Sequence, residues 1–589
     1  MASSLRQDTR IGSFDTPIKD GLVLYRFDGS EGLSELFEFR IEALSEKKEG
    51  VNFDEAIGAN CCVSIKTYDG SERYFNGTLI ETEWIGVKNT YNAYRLILRP
   101  WLWMLACVSD CKIFSEKSIP DIIEEIFAKH GFAKYELRLQ SYPNLEYCVQ
   151  YRETDLNFVC RLMEEAGIYY FFEHSKDEHK MILADSPSSH KPKQGGSKLV
   201  YRPVERSLKR QEEMLYYWYP SRRFNSGKVV LNDYDYLKPS ASLLSEKEGG
   251  GSYKNATLEV YDYPGRFTDK GVGQNYARVR LESNQSTDHR CHGVGDSVSC
   301  CPGATISLEE HPDEPQNQDY LIIRADHSFV SELYRSASTA SEELYQGRYD
   351  YLPRDIPFRC PQVTPKPRIH GLQTAKVAGE GEIDVDKYGR IILHFHWDRD
   401  KKDSRRVRIA QVWSDQNWGG IVIPRVGQEV IVQYSEGDPD QPLVIGTVYN
   451  AEKMPPYSLP SEKTIAGVKS NSSEGGGGYN ELIFDDKAGS ELIRVHGQKD
   501  LEGKIENDER WTIGHDRSEK IGNVMTVEAG MKIELKVATS KIVIEPQGIT
   551  IQAPTITIKA DALLEETAPI TKVTGSAVLI LQGGLVKIN

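Results

Sequence analysis

Residues 388–450 decide the fold of this chain: they contain YGRIILHFHWDRD at 388–400, RVRIAQVWSDQNWGGIVIPRVGQEVIVQYSEGD at 406–438 and PDQPLVIGTVYN at 439–450. Short runs rich in Val, Ile and aromatic residues alternate with Gly, Pro, Asn and Asp, which is typical of strands separated by turns. The stretch therefore predicts a compact β-barrel. Long segments precede and follow it, so we expect the barrel to join two other parts of the protein.

Proline-containing stretches flank the barrel on both sides. PRDIPFRCPQVTPKPRIH at 353–370 cannot form a regular helix and predicts an extended linker, and a second linker follows residue 450. We therefore predict four parts, which are residues 1–370, a barrel at 371–455, a linker at 456–480 and a C-terminal region at 481–589.

Composition limits the class of protein. A chain of 589 residues with a net charge of −15 predicts several folded domains and argues against a general nucleic-acid binder, which needs a basic surface. The start, MASSLRQDTRIGSF, lacks the apolar core of a signal peptide, and no apolar run is long enough to span a bilayer. All ten cysteines lie at or before Cys360 and none forms a CxxC motif, so we expect reduced, buried thiols.

The region before the barrel mixes strands with a few helices. Residues 20–100 read as antiparallel strands, and a helix is predicted from the Ser118 cap to Gly131. A second helix at Thr154–Ala166 leads into the strand IYYFFEH, and a third is expected around Gln274–Leu281. Glu164 and Glu165 end the second helix, and we interpret them as a solvated helix end rather than an acidic active site.

The C-terminal region shows a seven-residue repeat of apolar–x–apolar pairs. The four pairs are Leu535/Val537, Ile542/Ile544, Ile549/Ile551 and Ile556/Ile558. A coiled coil is excluded, because the apolar residues are two positions apart rather than three or four and most of them are β-branched. The repeat is also interrupted at Pro546, Gly548 and Pro554. Because alternation within an odd repeat flips the apolar face at every unit, each unit must contain a bend. The repeat predicts a β-helical or β-prism fibre.

One copy of such a strip cannot bury its apolar edge or pair both sides of its backbone. Intertwined copies would pair every edge and form a dry axis from the eight residues of the repeat. We therefore predict a homotrimer, although the repeat by itself does not set the number of chains.

Two motifs in the barrel have alternative interpretations. His394, His396 and Asp398 alternate along a strand and could face a metal ion, but a lone His-x-His is a weak signal. The basic residues of the same stretch are interleaved with acidic ones, which favours a solvated loop or a trimer-contact loop over a nucleic-acid groove; they are Arg399, Lys401, Lys402, Arg405, Arg406 and Arg408. We predict no metal, no cofactor and no nucleic-acid partner.

Several motifs in order resemble the VgrG family, the spike proteins of bacterial type VI secretion systems, which are similar to the hub and spike of contractile phage tails. These motifs are YRETDLNFVCRLMEEAGIYYFFEH at 151–174, YDYPGRF at 261–267, DKYGRIILHFHWDRD at 386–400, VWSDQNWGGIVIPRVGQEVIVQYSEGDPDQPLVIGTVYN at 412–450 and FDDKAGSELIRVHGQKDL at 484–501. The resemblance implies a mainly β fold with an α+β, phage-hub-like N-terminal region, an oligonucleotide/oligosaccharide-binding (OB) type barrel and a trimeric β-helical or β-prism needle.

The resemblance also implies partners. A homotrimer would sit on a tube of Hcp hexamers, puncture the target-cell membrane, and carry a PAAR-type cap and an effector, with or without an adaptor chaperone. It would be cytoplasmic before firing and then secreted or delivered into the target cell. The expected cap and effector surface is the end of the needle, at Gly583, Gly584, Leu585, Val586, Lys587, Ile588 and Asn589.

Hydrolase motifs such as GxSxG and HExxH are missing from the sequence, so we predict no catalytic residues. The sequence ends in the β pattern at GGLVKIN, which is expected to leave no room for an appended toxin domain. A phage or prophage tail spike built from the same parts is the alternative function.

Overall fold

The structure is a computed structural model that describes residues 5–7, 10–18, 21–88, 90–203, 212–249, 251, 253–331 and 345–588. It divides into two compact units, Met1–Gln498 and Lys499–Asn589. The predicted mainly β fold class is confirmed.

We call the part up to Pro353 the hub. Its described strands are β1 (Gly12–Asp15), β2 (Val23–Gly32), β3 (Glu38–Ser45), β4 (Asn60–Lys66), β5 (Glu72–Lys88), β6 (Tyr91–Arg99), β7 (Ser109–Ser118), β8 (Tyr135–Arg138), β9 (Asn144–Thr154), β10 (Tyr169–His174), β11 (His179–Ala184), β12 (Lys191–Pro192), β13 (Lys198–Tyr201), β14 (Met214–Arg222), β15 (Lys228–Leu231), β16 (Ser245–Glu248), β17 (Glu259–Asp262), β18 (His289–Gly295), β19 (Ala304–Glu309), β20 (Asp319–Val330) and β21 (Tyr345–Pro353). Its α-helices are α1 (Ile119–Lys129), α2 (Asp155–Ala166) and α3 (Lys270–Gln285), and short 3-10 helices lie at Trp101–Cys107, Pro187–Ser189 and Glu314–Gln316.

One long sheet organises the hub in two halves. In the first half the strands run β1-β4-β5-β6-β3-β2, and β2 then pairs with β20. In the second half β20, β21, β18, β14, β13 and β19 form a ring, which closes because β19 also pairs with β20. Aromatic side chains fill this ring, among them Trp218, Tyr320 and Tyr351.

The three helices form where the sequence places caps. The Ser118 hydroxyl accepts a hydrogen bond from Asp121 N at 3.3 Å, and Ser118 N donates to the Asp121 carboxylate at 3.2 Å, which is a capping box for α1. Thr154 caps α2, and Gly167 ends it in the left-handed conformation with φ of 75°. The helix predicted at Gln274–Leu281 is longer at both ends: it begins at Lys270, because the Asp269 carboxylate caps it there, and it ends at Gln285.

The barrel strands follow the hub. They are β22 (Gln373–Ala378), β23 (Ile392–Phe395), β24 (Ser414–Asp415), β25 (Trp418–Gly419), β26 (Glu429–Tyr434) and β27 (Pro442–Val448), with a 3-10 turn at Ser435–Gly437. Four of them pair in the order β23-β22-β26-β27. Residues 407–410 close the ring, since Val407 pairs with Ile391 and Ala410 N donates to Val444 O at 2.7 Å. The predicted barrel is confirmed.

A small sheet follows the barrel and is formed by β28 (Ile465–Lys469), β29 (Glu481–Asp485) and β30 (Leu492–His496). The stretch 456–480, which we predicted as a linker, therefore contains a strand that pairs antiparallel with β29.

The second unit contains one three-stranded antiparallel sheet, formed by β31 (Ile533–Val537), β32 (Ser540–Glu545) and β33 (Gly548–Gln552). Turns of two residues separate its strands, and each strand carries one apolar–x–apolar pair of the seven-residue repeat. The bend that the repeat required lies at each of these turns. We call β31–β33 the needle sheet.

Candidate assembly surfaces

The apolar residues of the repeat share one face of the needle sheet. Leu535 pairs with Ile542, and Ile542 pairs with Ile551 on the next strand. Ile544 likewise pairs with Ile549. Directly paired residues of antiparallel strands point to the same side, so these side chains form continuous apolar rows, while Glu534, Lys536 and Thr550 alternate onto the other face.

These rows are uncovered in the single chain. The exposed fractions of Leu535, Val537, Ile542, Ile544, Ile549 and Ile551 lie between 39% and 78%. An apolar face of this kind, backed by a charged one, is typical of a surface that another protein covers.

The other residues predicted for the trimer axis and for the end surface lie outside the described strands. Ile556 and Ile558 are exposed and lie outside the described strands. Gly583, Gly584, Leu585, Val586, Lys587 and Ile588 are also exposed, and Asn589 lies outside the described residues. Their roles at the axis and in partner binding therefore remain predictions.

The barrel is joined to the hub by a shared apolar core. Ile113, Tyr147 and Val149 of β7 and β9 pack against the barrel residues Val377 and Leu393. The Tyr151 ring lies edge-on to Trp397 with centroids 5.7 Å apart, and Gln373 Nε2 donates to the Tyr151 hydroxyl at 2.8 Å. A shared core of this kind holds two domains in one orientation.

Residues 354–372, which we call the strap, connect hub and barrel. The strap is extended as predicted, but it is not a free linker, because Phe358, Cys360 and Ile369 are buried. The buried Arg359 guanidinium donates to Gly167 O at 2.8 Å and to Asp185 O at 2.5 Å. The strap thus packs against both bodies it connects.

A buried ion cluster fixes the far end of the strap. The Lys366 ammonium lies 2.6 Å from the Asp440 carboxylate and 2.8 Å from that of Asp438, and Asp440 also accepts from Val149 N at 2.7 Å. Burial raises the pKa of Asp440. Burial alone would lower the pKa of Lys366, but the two carboxylates outweigh it and the net shift is upward. The ammonium is therefore held charged where strap, hub and barrel meet.

The interpretation of Glu164 as part of a solvated helix end is wrong. Its buried carboxylate accepts hydrogen bonds from Val363 N and Thr364 N, both at 2.9 Å, and from the Thr364 hydroxyl at 2.6 Å. The reason is that the strap runs across the end of α2 and covers it. Glu164 thus holds the strap against the end of α2 and is not a surface residue.

The basic cluster of the barrel also joins it to the hub. Arg399 pairs with Asp110 at 2.6 Å, and Arg405 pairs with Glu146 at 3.4 Å. The Arg408 guanidinium lies 4.1 Å from the centre of the Tyr236 ring, a cation–π contact. Within the cluster, Arg406 instead pairs with Asp384 of the barrel itself. The sequence did not reveal this role, because the partners are more than 150 residues away.

The histidine motif of the barrel does not converge on one point. His394 Nε2 lies 2.7 Å from the Asp403 carboxylate, whereas Asp398 accepts from Lys402 N within its own turn. His396 is exposed. Among the residues that the structure describes, no group of three or more His, Cys, Asp and Glu side chains is placed to hold a metal ion.

The hub buries histidines that the sequence analysis did not single out. His179 Nε2 accepts from Trp101 N at 2.9 Å, and its Nδ1 donates to the Asn76 amide oxygen at 2.8 Å. Burial lowers the pKa of His179 to about 3 and that of His190 to about 4. Of the ten cysteines, all unpaired in the structure, six are buried as predicted, three are half-buried and Cys107 is exposed.

Three family models match consecutive parts of the chain. The model of the phage tail baseplate hub (GPD) matches residues 30–333, and that of the type VI secretion system/phage-baseplate injector OB domain matches 373–449. The model of the bacteriophage T4 gp5 C-terminal trimerisation domain matches 466–559. The last match contains the needle sheet and supports its association as a trimer.

A characterised relative agrees with these matches. The type VI secretion system spike protein VgrG1b of Pseudomonas aeruginosa is 37% identical over 528 residues, which is 88% of this chain and 71% of that protein. The chain belongs to the VgrG family of type VI secretion system spike proteins. Its predicted function as a structural spike of that system is thereby confirmed.

Solved structures share the fold of this chain at low sequence identity. An Escherichia coli type VI secretion component with similarity to the T4 tail proteins gp27 and gp5 superposes with a TM-score of 0.52 at 19% identity, covering 74% of this chain and 99% of its own. A chain of a Francisella PdpA–VgrG complex gives a TM-score of 0.53 at 9% identity, covering 92% of our chain and 88% of that chain. None of the helices in the described part of our chain is long and apolar enough to cross a bilayer.

Proposed function

We propose that three copies of this chain associate through the apolar face of the needle sheet and form the spike at the tip of a tube of Hcp hexamers. The observation that carries the proposal is the row of exposed Leu and Ile side chains on one face of β31–β33. Three such faces around an axis bury each other, which a single chain cannot do.

The spike acts mechanically in this proposal. When the sheath contracts, the tube advances and the needle breaches the target envelope. A fibre in which every strand pairs with neighbours resists local opening, because a strand can leave only by breaking two ladders. The shared hub–barrel core and the buried Lys366 cluster would transmit the thrust from the hub without bending at the strap.

The trimer is tested by the mass of the purified chain in solution. Wild type is expected at three times the 66.6 kDa chain mass. Ile549→Lys combined with Ile551→Lys places charges on the apolar face and should shift the mass to a single chain. Thr550→Lys is the matched control, since Thr550 lies between them on the opposite face. A double variant that stays trimeric would contradict the proposed axis.

We further propose that Gly583–Asn589 carry a PAAR-type cap and, through it, an effector, with or without an adaptor chaperone. Exposed apolar residues such as Leu585 and Ile588 support this assignment. Removing residues 578–589 should abolish co-purification of the cap while the mass of the trimer falls only by the deleted residues. Retention of the cap by the truncated trimer would overturn the assignment.

The proposed role requires no catalysis by the chain. Incubation of the purified trimer with peptidoglycan is expected to release no soluble fragments, and their release would contradict a purely mechanical role. The chain is expected in the cytoplasm before firing and afterwards in the culture medium or the target cell. Deleting the sheath gene should abolish the extracellular pool without changing the cytoplasmic one.

A further inference from the structure

The barrel carries an apolar hairpin that its own chain leaves uncovered. We call residues 412–422 the tryptophan hairpin; β24 and β25 form its arms. Val412 is 96% exposed, Trp413 65% and Trp418 51%, and Ile421 and Val422 are exposed as well. Asp415 is the one charged residue in the stretch. Tryptophan and a low charge content mark the centre of protein–protein interfaces rather than ordinary surface.

The tryptophan hairpin is held in one conformation. The Gln411 side chain bridges its base, accepting from Val422 N at 3.0 Å and donating to Val422 O at 3.2 Å. Gly420 N donates to Trp413 O at 2.9 Å. The Trp413 and Trp418 rings meet edge to face, with centroids 4.8 Å apart and planes at 87°. A surface ordered in advance loses little conformational entropy when a partner binds.

The tryptophan hairpin lies next to the start of the trimerisation region. Arg425, three residues beyond it, donates to Asn471 O at 2.6 Å in the connection between β28 and β29. That connection belongs to residues 466–559, which match the trimerisation domain model. Arg425 also pairs with Glu382 of the barrel. The base of the hairpin is therefore bonded both to the barrel and to the part of the chain that brings copies together.

We propose that the tryptophan hairpin is a second trimer contact, in which it packs against the barrel of a neighbouring copy of this chain. The inference rests on the proposed trimer. Three barrels attached to one trimeric region are at a high effective concentration relative to one another. An apolar patch on each barrel is therefore more often in contact with a neighbouring barrel of the trimer than with other proteins. A three-fold ring joins two different patches of the same chain, and a protruding hairpin suits one side of such a contact.

The contact can be tested on the purified full-length chain with a photo-crosslinking amino acid, p-benzoylphenylalanine, in place of Trp413. Irradiation is expected to join two or three chains covalently, with the crosslinks mapping to residues 371–455 of another copy. Trp413→Ala combined with Trp418→Ala should raise the trimer's dissociation concentration by at least about tenfold, the effect of losing an interface hot spot. Far-UV circular dichroism should stay unchanged, because both side chains are exposed.

Trp84→Ala removes an equally exposed indole from the hub and controls for the loss of a tryptophan as such. If the wild type is trimeric but crosslinks only within one chain, or only to lipid when vesicles are added, the proposed hairpin contact is wrong. The proposed trimer is not affected by that result. A double variant that dissociates like wild type would also overturn the hairpin contact. A wild-type chain with the mass of one copy would instead overturn the proposed trimer.

Discussion

The Lys366 ammonium lies 2.6 Å from the Asp440 carboxylate, and the two residues come from the strap and from the turn between β26 and β27. Their side chains are 10% and 17% exposed, so neither charge is solvated well enough to stand alone. The pair adds to the shared apolar core in holding the barrel on the hub, because Asp440 also accepts a hydrogen bond from Val149 N of the hub strand β9.

Lys366→Met is expected to lower the free energy of unfolding by about 3–5 kcal/mol, because it removes the only ion-pair partner of the buried Asp440 carboxylate in the described part of the chain, whereas Asp438 keeps Arg266 at 3.4 Å. Chemical denaturation followed by barrel tryptophan fluorescence would measure the loss. Lys376→Met is the matched control: Lys376 is exposed and 4.0 Å from Glu452, so its loss should cost less than about 1 kcal/mol. Equal effects of the two variants would show that the buried cluster does not stabilise the joint.

Glu164→Ala is expected to cost about 1–3 kcal/mol, because two backbone N–H groups of the strap lose their acceptor. Hydrogen exchange should show faster exchange at Val363 and Thr364. Thr364→Val removes only the hydroxyl contact with Glu164 and leaves both backbone bonds, so a smaller loss is expected. If the strap amides of Glu164→Ala exchange at the wild-type rate, the fastening role is refuted.

Gly167→Ala should destabilise the hub more than Gly131→Ala, although both glycines follow a helix with φ near +70°. A Cβ at Gly167 would lie 2.7 Å from a methyl carbon of Val279, whereas one at Gly131 has open space around it. Each substitution carries a backbone cost of about 1–2 kcal/mol, and overpacking adds about 1–3 kcal/mol at Gly167 alone. Thermal unfolding of the two variants measures the difference, which should vanish if α3 moves away freely.

The hub should lose stability as the pH falls from about 6.5 towards 5. His179 and His190 have native pKa values of about 3 and 4, whereas an unfolded histidine titrates near 6.5. Between these values the unfolded state binds more protons, so the free energy of unfolding decreases by up to about 1.4 kcal/mol per pH unit for each histidine.

Protonation of Glu31 adds to this loss of hub stability only at lower pH. Burial alone would raise its pKa, but Arg73 and the neighbouring histidines outweigh it and hold the pKa well below the usual range. Its stabilisation is therefore lost below about pH 4.3, the unfolded value. The free energy of unfolding at pH 5–7 reports on the histidines alone. His179→Gln should reduce its dependence on pH by up to about one proton. An unchanged slope for His179→Gln would contradict the assignment.

Local sequence patterns were sufficient to predict many of the helices and strands. The capping box of α1, Gly167 after α2 and the strands of the barrel were predictable, because caps, stops and alternation are encoded within a few residues. The seven-residue repeat likewise predicted a bend in each unit, and the turns of the needle sheet lie there. The interpretation of Glu164 failed because a helix end gives no sign of a strap that crosses it 200 residues later.

The sequence by itself determined the faces of this protein: which side of each helix and strand is apolar, and that the face formed by Leu535, Ile542 and Ile551 needs a cover. Periodicity carries this information because side-chain direction follows from backbone geometry alone. Only the tertiary structure decided the partners, such as Lys366 with Asp440 and Arg408 with Tyr236. A charge in the sequence does not specify its counterpart, since that depends on which distant segments the fold brings within a few ångströms.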